Sequence, residues 1–144
     1  MVASSENTSY PQICLIDDDL ISHLHLIQLL YKIDPQLKLI SFLNADMALS
    51  YLEDQLESNA FPEVIFLNIY MPSIKETAWE VIDRLRALQE ESIQNPFLKN
   101  IRMFFVTADE LEGDRKKAQD YKMVREFWIK PVLEEKLREA LATV

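Results

Sequence analysis

Short wholly apolar runs alternate along the chain with longer stretches of helical periodicity. Residues 13–16, 64–67 and 103–106 contain no polar side chain. Runs with nothing polar to alternate against suit strands covered on both faces. Between the first two lies a segment, residues 20–33, in which Leu20, Leu24, Ile27 and Tyr31 recur at helical spacing, flanked by Leu30 and Ile33. Pro35 stops that helix. Residues 37–42 form a short mixed run, expected as a strand nearer an edge. Asn44 can cap a helix over about 45–56, with Met47, Leu49, Leu52 and Leu56 toward the core.

The second half repeats the alternation. Residues 79–88 predict a helix through Val81, Ile82, Leu85 and Leu88, and the polar stretch 89–100, with Pro96, reads as a long connection. Residues 110–124 predict a weaker helix, and 127–129 a short fifth strand. Pro131 is expected to start a last helix with Leu133, Leu137, Ala140, Leu141 and Val144 on one face. Five strands and five helices in strict alternation predict an α/β fold, a parallel sheet with helices on both faces. The reading is one domain over 12–144, preceded by a flexible tail of residues 1–11, with no internal repeat.

Composition narrows what such a domain can do. Among 144 residues there is a single glycine, Gly113, where average usage of roughly 7% would give about ten. A phosphate-binding P-loop needs two glycines and a dinucleotide fingerprint two or three, so neither is present. Fifteen Lys and Arg against 24 Asp and Glu give a net charge of −9, which argues against a nucleic-acid partner. One cysteine, Cys14, cannot form an internal disulfide. His23 and His25, two apart on a helix, point to different faces and make no zinc site. These three residues read as structural or solvent-facing. No apolar run approaches the ~20 residues that span a bilayer, and the start MVASSENTSYPQ is no signal peptide. A cytoplasmic protein is expected.

In open parallel sheets the site lies beyond the carboxyl ends of the strands. Asp17, Asp18 and Asp19 follow the first apolar run, Asn68 the central one, Thr107 the next and Lys130 the last. Carboxylates, an amide, a hydroxyl and an ammonium thus converge on one sheet end. Clustered carboxylates suit a hard dication with oxygen ligands, and metal, ammonium and hydroxyl together stabilise charge on a phosphoryl group. Asp19 is the one of the three that best serves as a helix cap.

The strings LIDDD, IFLNIYMP, FFVTA and FWIKP resemble those of the response-regulator receiver domain of two-component signalling, over about residues 12–144. The resemblance implies a flavodoxin-like sheet of order 2-1-3-4-5. It implies Asp17 and Asp18 as the acidic pair for Mg²⁺, with a backbone carbonyl from Tyr70. It implies Thr107 and Lys130 as phosphoryl-contacting residues, and Phe127 at the switch-aromatic position. Trp128 alternates to the opposite face as packing. The implied partners are a sensor histidine kinase or phosphotransfer protein and a downstream protein target, with a homodimer through the last helix as a further pairing. The implied contact face comprises the fourth helix, fifth strand and last helix.

The departure is Asn68, where the family carries the phosphoacceptor aspartate. A carboxylate oxygen is a usable nucleophile and an amide is not, so phosphorylation in the standard way is not expected. Mg²⁺ should bind more weakly, and Lys130 should lose its charge partner. The turn after Met71 and Pro72 also lacks the glycine usual in the family. Asn68 is open to reading as a natural pseudo-receiver, as a substitution in a working regulator, or as a site of slow deamidation. The expectation is a stand-alone signalling domain, not an enzyme, acting through protein contact. Two alternatives stand beside it. One is a haloacid-dehalogenase-type phosphatase with Asp17 as nucleophile and Asp19 as acid/base. The other is a phosphorylation-independent interaction domain.

Overall fold

A computed structural model describes residues 12–56, 61–69, 78–91, 100–108 and 112–142. Five strands alternate with five helices: β1 (Gln12–Ile16), α1 (Leu20–Ile33), β2 (Lys38–Phe42), α2 (Ala45–Asp54), β3 (Val64–Asn68), α3 (Ala78–Glu91), β4 (Arg102–Thr107), α4 (Glu112–Ala118), β5 (Val124–Ile129) and α5 (Glu134–Ala142). The strands form one parallel sheet of order β2-β1-β3-β4-β5. The register aligns the carboxyl ends. Ile16 lies opposite both Phe42 and Leu67, Asn68 opposite Val106, and Thr107 opposite Ile129.

The apolar runs alternate between two cores. Cys14, Ile16, Ile65, Leu67, Met103, Phe105 and Phe127 join one cluster with α2 and α3 residues. Ile13, Leu15, Val64, Phe66, Phe104, Val106 and Trp128 join the other with α1 and α5 residues. A strand buried on both sides has no polar face to show, which is why these segments read as unbroken apolar runs. Each layer holds one tryptophan. Trp128 sits 4.9 Å from Phe104 and 5.8 Å from Phe66, ring centre to ring centre. Trp79 meets Phe105 edge-on at 5.3 Å and stacks on Tyr121 at 5.9 Å.

The helices differ from expectation in phase and length. In α1 the buried residues are His23, Leu26 and Leu30, while Leu20, Leu24 and Tyr31 are exposed. This segment is apolar on nearly every side, so periodicity gives spacing without phase. Asn44 caps α2 as predicted, accepting from the Met47 N–H at 3.2 Å. Met47 itself is exposed, and Ala45, Ala48, Leu49 and Leu52 are buried instead. The helix ends at Asp54, and Leu56 packs on the core from the turn beyond. Helix α3 continues through Glu91, into the stretch expected as connection, whose residues 92–99 lie outside the described residues.

Helix α4 is shorter than predicted. It stops at Ala118, the chain turns, and Tyr121 and Met123 bury themselves before β5 begins at Val124. Pro131 does not start the last helix. The Lys130–Pro131 peptide bond is cis and α5 begins at Glu134. Leu133 is consequently exposed, whereas Leu137 and Ala140 are buried and Leu141 is partly so. Val144 and the tail 1–11 lie outside the described residues.

Candidate functional site

Asp17 follows the last residue of β1 and is 3% exposed. Its N–H donates to the Phe42 carbonyl at 3.1 Å, extending the β1–β2 ladder by one bond. Its side chain is therefore held over the sheet end. A carboxylate so buried is costly unless paired and hydrogen-bonded, and here it is both. Oδ1 accepts from the Asp19 N–H at 2.9 Å and from the Asn68 side-chain amide at 3.0 Å. Oδ2 lies 2.8 Å from Lys130 Nζ. Such charge-assisted bonds are the strong ones.

Each donor is placed by its own strand. Asn68 ends β3 and is buried. Its amide turns a nitrogen toward Asp17, since a carboxylate only accepts. Lys130 follows β5, and its N–H donates to the Thr107 carbonyl at 2.7 Å. That bond fixes the root of the lysine beside the end of β4, and its side chain is only 13% exposed. Thr107 is buried at the same sheet end.

The structure thus brings Asp17, Asn68, Thr107 and Lys130 to one sheet end, with Asp18 next along the chain and partly buried. Tyr70 lies outside the described residues. Asp19 is engaged as the cap of α1, where its Oδ1 accepts from the Ile21 and Ser22 N–H groups at 3.1 and 3.4 Å. Phe127 faces the α2–α3 core, edge-on to Phe105 at 6.1 Å, with the Arg115 guanidinium 4.9 Å above its ring. Trp128 takes the opposite face, as its alternation predicts.

One feature corrects the sequence reading. Lys130 does not lose its charge partner: it pairs with Asp17 across the sheet end. His23 is structural, as expected. It is buried, and Nδ1 lies 3.2 Å from the Asp17 carbonyl. A carbonyl only accepts, so Nδ1 carries the proton. His23 lies on one helical face with Leu26 and Leu30, three and four residues apart.

The donor set bears on a metal. Mg²⁺ takes oxygen ligands in near-octahedral geometry. Both Asp17 oxygens are engaged by protein donors, and Asn68 turns its N–H rather than its oxygen toward Asp17. Among the described residues no group of three His, Cys, Asp or Glu side chains is placed to hold a metal ion. As arranged, the Asp17 carboxylate is already paired with the Lys130 ammonium. The Cys14 thiol lies buried in the β1 core, and burial pushes its pKa far above the ordinary thiol value.

No protein-family model and no curated protein matches the sequence. Solved structures do match. A two-component response regulator from Cytophaga hutchinsonii superposes with TM-score 0.72 at 22% identity, covering 92% of this chain and 93% of that one. The phosphorylated cyanobacterial phytochrome response regulator RcpA gives 0.70 at 18%, covering 94% and 91%. The receiver domain of a sensor histidine kinase from Pseudomonas aeruginosa, with a magnesium ion coordinated in its active-site cleft, gives 0.70 at 16%, covering 94% and 97%. With its 2-1-3-4-5 parallel sheet and these neighbours, the chain has the fold of the response-regulator receiver domain.

Proposed function

We propose that the protein is a receiver-type signalling domain that works through protein contact and is not phosphorylated at the usual position. The observation that carries this reading is the amide of Asn68 at the carboxyl end of the central strand, hydrogen-bonded to Asp17. An amide offers no anionic oxygen to attack a phosphoryl donor. With one carboxylate fewer, the pocket also holds Mg²⁺ more weakly than a three-carboxylate site. A histidine kinase or phosphotransfer protein would then meet this domain without transferring to it, in the cytoplasm. A downstream protein would read its surface as it stands, and pairing of two copies through α5 belongs to the same proposal.

The contact face is α4, β5 and the start of α5. A groove of about 550 Å³ runs there, lined by Arg115, Arg125, Phe127, Ile129, Leu133 and Lys136 among others. Exposed Ile129 and Leu133 give it apolar anchors. Phe127 lines the groove and also packs in the α2–α3 core, so the groove and that core share a residue. In a phosphorylated receiver such a link would shift a population between two states; here the face is set by the fixed contents of the pocket or by the partner.

Intact-protein mass after incubation with acetyl phosphate and Mg²⁺, with Asn68→Asp in parallel, tests the reading. The expected result is no adduct on the chain itself and one phosphoryl group, about 80 Da, on the aspartate variant. A phosphoryl adduct on the unaltered chain would overturn it.

A further inference from the structure

The Lys130–Asp17 pair has a consequence for how the pocket is held together. Three strand ends contribute to it, β1 through Asp17, β3 through Asn68 and β5 through Lys130. In a pocket with several carboxylates, mutual repulsion has to be relieved by an added cation. Here the Asp17 charge is already matched. Asp19 is spent on the cap of α1, Asn68 is neutral, and the Asp17 carboxylate meets the Lys130 ammonium at 2.8 Å. Lysine supplies a compact point charge on a flexible stem, so its ammonium can reach where an ion would sit while its backbone stays tied to Thr107.

We infer that Lys130 is the resident cation of this pocket and takes the place of a divalent ion, so that the Asp17 carboxylate is neutralised without metal. The inference rests on the receiver reading and sharpens it: the pocket is closed by an ion pair inside the chain rather than by a ligand from solution. Three observations point the same way. Both Asp17 oxygens are engaged by protein donors. Asn68 directs N–H, a group that repels a metal ion, at the oxygen a metal would need. The lysine head is largely shielded from water, where competition from solvent ions is weak.

Mn²⁺ binding to the full chain, followed by the paramagnetic resonance signal of the free ion, tests this. The unaltered chain should show no saturable site in the millimolar range. Lys130→Met, which keeps much of the stem and removes the charge, should bind Mn²⁺ about tenfold more tightly or better, because removing a unit charge in contact lifts a large repulsion. Should that variant not fold, Lys130→Gln carries the same comparison. No gain in whichever variant folds, or binding by the unaltered chain as tight as theirs, would overturn the inference. Neither result bears on phosphoryl transfer, which the mass measurement reads separately.

Discussion

The Asn68 amide donates to Asp17 Oδ1 across 3.0 Å, joining the end of the central strand to the end of its neighbour β1. An aspartate at position 68 would set a second carboxylate at that distance, turning an attraction into a repulsion. Asn68→Asp should therefore be less stable than the unaltered chain in EDTA at neutral pH, by about 1–3 kcal/mol. Added Mg²⁺ should return part of that loss. Urea unfolding with and without Mg²⁺ measures both. Equal stability in EDTA would mean that the Asn68 bond contributes nothing net.

Removal of Lys130 leaves a buried carboxylate with two neutral donors and no counter-charge. Lys130→Met should cost about 3–5 kcal/mol, the range for breaking one side of a buried pair. The double variant Asp17→Asn with Lys130→Met should recover most of the loss, since no uncompensated charge remains. Denaturant midpoints of the two variants make the comparison, and a double variant no better than the single would exclude a charge-based cost.

Cys14 is enclosed in the sheet core, and burial holds its thiol in the protonated form. Native protein should react with a thiol-specific reagent only as fast as the domain opens. The absorbance change on labelling should accelerate steeply with urea in step with unfolding. Rapid labelling without denaturant would contradict the burial.

The Tyr121 hydroxyl donates to Asp83 Oδ1 at 2.6 Å, and chiefly that bond, with burial and the carboxylate charge adding to it, raises the Tyr121 pKa above its ordinary 10. A raised folded value means stability that is full below pH 10 and lost as the pH climbs through the folded pKa. Tyr121→Phe should cost about 1 kcal/mol at neutral pH. The gap should close in strongly alkaline solution. Thermal unfolding from pH 8 upward reads the difference, and a gap that widens with pH would reverse the assigned sign.

Much of the fold was legible because the sheet is covered on both faces. Residues 13–16, 64–67 and 103–106 read as strands because they are wholly apolar and short, and the residues after them named the site. Helix phase was less legible. Leu20 and Leu24 match the helical period as well as Leu26 and Leu30 do, and burial of His23 is invisible to a hydrophobic pattern. Asn44 and Asp19 were readable as caps because capping is local chemistry. The partner of Lys130 was not, because β1 and β5 are not neighbours in the sheet and the pairing depends on where the long lysine side chain reaches. The early ends of α4 and the late start of α5 follow from tertiary burial of Tyr121 and Met123 and from the path after Pro131, which propensity does not encode.

Trp128 and Trp79 lie on opposite sides of the sheet, one among Phe66 and Phe104, the other against Phe105 and Tyr121. These are the only two indoles in the chain. Each helical layer therefore carries its own optical reporter, and a pair of single-tryptophan proteins would let the two layers be watched independently as the domain meets a partner.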